Sequence, residues 1–303
     1  MIYVIGGTNM DIAGTPEANL RTGDSNPGRV TMTPGGVGRN IAENLRRLGR
    51  EVALVTVLGN DANAEAIREH SRNIGIDLSH SFTDPMGQTS TYLCLNEQNG
   101  DLHAAVSDMA ICDQLTAEKL EPLLPELNMA ELVIADANLP EATLAWIAHH
   151  VSTPVAADPV SVAKAPRLRP LLSRLVFLKP NMREAELLAG FEPGTSGSLS
   201  RTADALHALG IERVFLSLGG QGVWADDGKE GALLSCVPGP VVNTSGCGDA
   251  FVAAAADALL RGMGTMECAK AGLAAAAICA EDPAAVSPQM SREAIEMKLS
   301  LAV

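Results

Sequence analysis

Aromatic residues are scarce in this sequence: five Phe, two Trp and two Tyr make up 3% of 303 residues. Nearly half the chain is hydrophobic, at 47%, so a sizeable core is available but aliphatic and alanine packing must build it. Positive charge is scarce too. Lys and Arg number 22 against 36 Asp and Glu, a formal net charge of −14, which argues against general binding to nucleic acid or anionic membranes. The six Cys include no C-x-x-C pair and read as free thiols in a reducing, cytoplasmic setting. Residues 1–7 hold no basic region and no long apolar run and so do not read as a signal peptide, and no charge-free apolar run reaches membrane-spanning length. The histidines lack metal-ligand spacing, and neither a Ser/His/Asp pattern nor a nucleophile elbow is present.

What is present centres on Asn243-Thr-Ser-Gly-Cys-Gly-Asp249. An Ala- and Leu-rich stretch follows over 250–260, and alanine is the best helix former. Gly246 and Gly248 therefore sit on a turn that opens a helix. Unpaired N–H groups and the positive end of the helix dipole make such a turn an anion site, and phosphate is the usual anion. Asp249 has two readings: an ordinary helix-start residue, or a general base that deprotonates a hydroxyl attacking a phosphoryl group. Cys247 likewise reads either as a small buried residue or as a reactive thiol, since a helix N-terminus lowers a thiol pKa.

Earlier in the chain, residues 2–5 form an apolar strand ending at Gly6-Gly7, with Asn9 and Asp11 just beyond. They serve either a turn or a ligand at the strand's carboxyl end. Residues 13–33 are polar and rich in Gly and Pro, which alone suggests a surface loop. Pro34-Gly-Gly-Val-Gly-Arg-Asn40 leads into Ile41, Leu45 and Leu48 at helical spacing. No Lys-Ser/Thr follows, so it is not a Walker-type phosphate loop, and it lacks the G-x-G-x-x-G dinucleotide pattern. Residues 88–95 and 101–106 read as a hairpin around 96–100. Short apolar runs at 51–57, 132–135, 155–157, 175–178 and 213–217 alternate with helical segments, which predicts a mostly parallel sheet covered by helices. Lys179-Pro-Asn-Met-Arg-Glu184 follows one such run, and Asn181 with Glu184 suits either a capping box or a metal-proximal pair. Asp158 ends another run, as a carboxylate near that metal or as a turn residue before Pro159. The local basic cluster Lys164, Arg167 and Arg169 reads either as a group meeting nucleotide phosphates or, preferred, as a solvated helix face.

The 243–249 stretch resembles the Asp-Thr-x-Gly-Ala-Gly-Asp signature of the ribokinase-like (PfkB) family of sugar and nucleoside kinases, with Asn243 and Cys247 departing from it. Gly35, Gly36 and Asn40 match the family's first signature, and the Asn-x-x-Glu of 181–184 lies between the two. The resemblance covers nearly the whole chain. It implies one ribokinase-like three-layer α/β/α domain over 1–303, with a mostly parallel central sheet and a small β-sheet lid at about 12–34 and 88–107.

It further implies that Asp249 is the base, with the N–H groups of Gly246, Cys247 and Gly248 meeting the γ-phosphate of ATP. Asn181, Ser217, Gly219 and Gly222 would border the nucleotide. Glu184 and Asn181 would hold Mg²⁺ through water. Asp11, Gly35, Gly36 and Asn40 would hold the sugar, with Asn138 below it and Asn26, Thr89 and Asp108 reading the base. K⁺ is a possible further cofactor, its effect weakened because Asn243 lacks a charge. The 24–28 and 34–45 runs and Asp158-Pro-Val-Ser161 resemble the branch acting on the nucleoside pseudouridine. Ribose, adenosine and inosine remain open as substrates, as does a non-catalytic sensor. A homodimer joined through the lid is implied, with no nucleic-acid or membrane partner.

Overall fold

The computed structural model describes residues 1–99, 101–192 and 194–301; Gly100, expected in the hairpin turn, lies outside them. The chain begins with β1 (Ile2–Ile5), β2 (Asn9–Pro16), β3 (Gly28–Gly35), α1 (Val37–Arg47) and β4 (Val52–Val55). Then come β5 (Val57–Leu58), α2 (Ala62–Ile74), β6 (Phe82–Thr83), β7 (Thr91–Asn96) and β8 (Leu102–Asp108). Short helices α3 (Ala117–Leu120) and α4 (Leu124–Asn128) precede β9 (Leu132–Asp136), α5 (Glu141–His150), β10 (Val155–Asp158) and β11 (Leu175–Leu178). Next are α6 (Met182–Leu188), α7 (Leu199–Ala208), β12 (Val214–Ser217), β13 (Val223–Asp226) and β14 (Gly231–Leu234). Helices α8 (Cys247–Leu260), α9 (Thr265–Ala280) and α10 (Arg292–Ser300) close the fold.

The main sheet has the order β14-β13-β12-β11-β10-β9-β1-β4, parallel except where β13 pairs antiparallel with its two neighbours. Its strands read as continuous apolar runs because both faces are covered. Ile2 and Val4 point into a core shared with α1, α8, α9 and α10. Tyr3 and Ile5 point into a second core with α3, α5, α6 and α7. This is the expected three-layer α/β/α arrangement. The few aromatics are concentrated: Phe215 lies between Phe177 and Phe251, with ring centroids 5.9 and 5.5 Å apart. The rest of that core is largely alanine, which lets α8 and α9 pack closely.

A separate sheet, β3-β2-β7-β8, forms the lid. The 13–33 stretch, a surface loop by composition, keeps a loop only at 17–27; its two ends belong to the β2–β3 pair, running antiparallel from Asn9↔Gly35 to Pro16↔Gly28. Its polar residues are compatible with strand because the lid has little core on either side.

Candidate active site

Open α/β sheets gather ligand groups beyond the carboxyl ends of their strands. Here β9 ends at Asp136, β10 at Asp158, β11 leads into Lys179 and β12 ends at Ser217. Successive crossovers leave β1 toward β4 on one side and β9 on the other. At that switch point Asp136 accepts the N–H groups of Gly7 at 2.8 Å and Asn138 at 2.9 Å. Burial nevertheless pushes its carboxyl up to about 6.

The anion turn lies across the cleft from this point. Gly246 has φ 79°, and a Cβ there would run into the Ala285 carbonyl. Only glycine meets both demands. Asn243 ties the loop by accepting from Ser245 N–H and donating to the Pro283 carbonyl, each at 2.9 Å. Helix α8 starts at Cys247, earlier than the alanine run suggested, so Gly248 and Asp249 fall in its first turn. Cys247 donates its N–H to Thr244 O at 3.3 Å. Among the described residues, the N–H groups of Gly246, Gly248 and Asp249 have no protein acceptor. Of the expected trio, Cys247 N–H is therefore engaged within the turn, while Asp249 N–H is open beside those of Gly246 and Gly248.

Asp249 is buried. Burial, then the charge of Asp158, pushes its carboxyl up to about 8, while Asn40 and Lys179 pull it down. Asn40 Nδ2 donates to Asp249 Oδ2 at 2.8 Å, and Arg39 donates to Asn40 Oδ1 at 2.7 Å. An amide held at its oxygen by a guanidinium must present its NH₂ to the carboxylate. Arg39 is itself buried, donating to Pro34 O at 2.7 Å and to Glu43. Gly36, with φ 97°, lets α1 begin against β1: a Cβ would stand 2.6 Å from Gly7 O. Gly35 is likewise crowded by the Asp11 carboxylate, which also accepts from Asn9 Nδ2 at 2.5 Å. Asp11 thus lies against Gly35 just before α1, and Asn40 of α1 against Asp249.

Lys179 was missed as a functional residue. It is buried, its Nζ lies 3.8 Å from Asp158 Oδ2, and a Cβ on Gly248 would stand 2.9 Å from it. A cation is thus fixed beside the open N–H groups, where an anion is favoured. Its signal in the sequence was a lone charge directly after an apolar strand. Asp136 was missed because only the fold brings it to Gly7, and Arg39, the neighbour of Asn40 in sequence, because its bond to the Asn40 side chain shows only in the folded geometry.

Other expected residues fall elsewhere. Asn26 is spent on its own turn, accepting from Arg21 N–H at 2.7 Å and donating to the carbonyls of Arg21 and Asp24. Thr89 accepts from Gly59 N–H and donates to Asp61 at 2.7 Å. Asp108 accepts from Ala110 N–H at 3.3 Å and pairs in register with Thr91, not with the strand positions beside Asp11. Each of these three is engaged in local hydrogen bonds of its own. Asn138 is held by Lys164 Nζ at 2.5 Å on its side-chain oxygen and by Arg167 at 3.1 Å on its carbonyl, so these two cations point inward rather than forming a solvated face. Asn181 and Glu184 make the full capping box, with bonds of 2.9 and 3.0 Å. Burial pushes the Glu184 carboxyl up, as does the charge of Asp158.

A cavity of about 330 Å³ opens beside the anion turn, lined by Lys179, Ser217, Gly219, Gly222, Gly248 and apolar residues of α8 and α9. Cys247 is also in its wall. A hydrogen bond from Cys279 lowers the Cys247 thiol below its ordinary value, against the effect of burial. Burial instead pushes Cys112 up to about 12 and Cys268 up to about 11. Alkylation near neutral pH is expected to label Cys247 and the exposed Cys236, and to leave Cys112, Cys268 and Cys279 until last. ATP should slow labelling of Cys247. Peptide mass spectrometry with and without ATP checks this, and equal Cys247 labelling in both would refute it.

The family model described as "pfkB family carbohydrate kinase" matches residues 1–292. The chain belongs to the PfkB family. Among PfkB relatives, it is 36% identical to Escherichia coli (strain K12) pseudouridine kinase over 264 residues, covering 86% of this chain and 84% of that protein. It is 27% identical to Bacillus subtilis (strain 168) ribokinase, covering 86% of each. The structure of an Agrobacterium tumefaciens carbohydrate kinase superimposes with a TM-score of 0.88 at 31% identity, covering 99% of this chain and 97% of that one. As a PfkB protein, the chain is a phosphotransferase of the sugar and nucleoside kinase type. No described helix is long and apolar enough to cross a membrane.

Proposed function

We propose that the protein transfers the γ-phosphoryl group of ATP to the 5′-hydroxyl of a nucleoside, with pseudouridine preferred. The observation that carries the kinase chemistry is the buried Asp249 carboxylate, held by Asn40 and set among open N–H groups with Lys179 beside them. The cavity at Ser217, Gly219 and Gly222 suits the nucleotide, whose phosphates would extend toward Gly246 and Gly248. Asp249 accepts the proton of the acceptor hydroxyl as the oxygen attacks in line. In a loose transition state that proton leaves late, so most acceleration comes from positioning and from the N–H groups and Lys179 facing the transferred oxygens.

Among the described residues no cluster of His, Cys, Asp or Glu forms a direct metal cage. The charge of Asp158 raises the proton affinity of both Glu184 and Asp249, which marks a local surplus of negative charge. That fits a hydrated Mg²⁺ held partly by phosphates and by Glu184 through water, as Mg²⁺ is commonly bound. Such an ion would neutralise phosphate charge.

The pseudouridine preference is supported by the 36% identity to a pseudouridine kinase. Ribose is the second reading, supported by the likeness to a ribokinase. Pseudouridine has a ring N–H that uridine lacks, and a site that bonds it leaves a polar group unpaired with uridine. Its kcat/KM is expected to exceed that for uridine at least about tenfold. Equal use of both would remove the pseudouridine preference and leave the kinase assignment standing.

A homodimer through the lid is supported by one lid face. Val30, Met32, Leu93, Leu95 and Val106 share it and are exposed, and an apolar patch of this kind marks an interaction surface.

A further inference from the structure

The lid strands fix which side chains can reach the substrate, because successive strand residues face opposite sides and cross-strand partners face the same side. Asp11 pairs with Thr33 of β3 and with Tyr92 of β7, and Tyr92 pairs with Ser107 of β8. Thr33, Asp11, Tyr92 and Ser107 therefore form one row on the face that carries Asp11. Met32, Ile12, Leu93 and Val106 form the neighbouring row on the opposite face. At the base of that opposite face, Met10 is buried against Leu58, Ala64 and Ile67. The two faces thus have separate partners, and Asp11 lies toward the start of α1, where the charge of Arg39 reaches it.

Tyr92 is out of place among the aromatics of this chain. Phe177, Phe215 and Phe251 meet in the core, Phe191 lies under Arg201, and Trp146 stacks on His150. Tyr92 is half-buried and has no aromatic or cationic partner among the described residues. Burial, followed by the charges of Cys94 and Asp11, pushes its phenol up, so the ring is neutral at physiological pH. A neutral aromatic face beside the sugar-holding carboxylate suits a second flat ring. Ser107, the next residue in the row, supplies a hydroxyl that can accept or donate a hydrogen bond at the edge of such a ring.

We propose that Tyr92, with Ser107 beside it, is the part of the lid that meets the heterocyclic base, and that it selects a nucleoside over a free sugar. This rests on the nucleoside-kinase reading above. Tyr92 sets specificity through ground-state contact with a part of the substrate remote from the reacting hydroxyl. Its loss should therefore appear in KM more than in kcat.

The test is Tyr92→Ala and Tyr92→Phe in the full chain, assayed by ATP turnover with pseudouridine, uridine and ribose, and by calorimetric binding of pseudouridine without ATP. Tyr92→Ala should raise the KM and the dissociation constant for the nucleoside about tenfold or more, the size of a lost base–aromatic contact. It should leave kcat within about threefold and kcat/KM for ribose unchanged, and Tyr92→Phe should keep wild-type nucleoside affinity. The ribose measurement also reports on folding. If wild type uses nucleosides and Tyr92→Ala binds them as well as wild type, the Tyr92 proposal alone falls. Equal losses for ribose and nucleoside in Tyr92→Ala would overturn it too. If wild type uses ribose and neither uses nor binds nucleosides, the nucleoside reading falls and the proposal with it.

Discussion

Asp249→Asn is expected to lower kcat by about 10²- to 10⁴-fold, the usual contribution of a positioned general base, while nucleoside and ATP still bind. The amide matches the carboxylate in size and still accepts from Asn40, so geometry survives and proton acceptance does not. Stopped-time assays of ADP formation together with calorimetric binding check this, and near-normal kcat would remove Asp249 from the mechanism. The carboxyl's position at about 8 adds two consequences. For the free enzyme the base must be ionised, so kcat/KM is expected to fall about tenfold per pH unit below that value. Stability moves the other way. The folded state holds a proton that the unfolded chain, at the ordinary 3.8, has released. This stabilising contribution is fully present below the unfolded value and is lost as pH rises through the folded one. Asn lacks that dependence, so the Tm of Asp249→Asn relative to wild type should increase between pH 5 and pH 9. An unchanged difference would show that Asp249 is not a high-pKa group in the folded protein.

Lys179→Met should lower kcat by about 10²- to 10³-fold, the cost of removing one preorganised charge from a transferred oxyanion. Nζ stands over the first turn of α8 and near Asp158. Methionine keeps the stem's packing and removes the cation. It also leaves Asp158 and Asp249 without their shared positive neighbour, so the acid limb of kcat/KM should move to higher pH. Nucleoside KM should change little, because the lysine lies on the phosphate side of the cleft. A variant that loses nucleoside affinity but keeps kcat would place Lys179 on the sugar side and contradict this geometry.

Much of the molecule was legible from its residue pattern. The apolar runs at 2–5, 132–135, 155–157 and 175–178 became parallel strands at nearly those bounds, because a strand buried on both faces needs no alternation to be recognised. The glycines of 35–36 and 246–248 announced close backbone approaches, and the structure supplies the groups approached: the Asp11 carboxylate, the Gly7 carbonyl, the Ala285 carbonyl and the Lys179 amine. The lid was harder. Composition alone made 13–33 a loop, and only strand pairing shows which of its residues face inward. A single step along β8 separates Ser107, on the face of Asp11, from Asp108, on the other. Register depends on partners far away in sequence, so no local pattern could choose between them. Lys164 and Arg167 failed for the same reason, since their partner Asn138 sits 26 and 29 residues away.

The central claim is tested most directly by product analysis of the wild-type protein incubated with ATP, Mg²⁺ and pseudouridine, with uridine and ribose in parallel. The account predicts ADP and pseudouridine 5′-monophosphate in equal amounts, with pseudouridine consumed fastest. ATP left intact in the presence of every nucleoside and sugar supplied would contradict it.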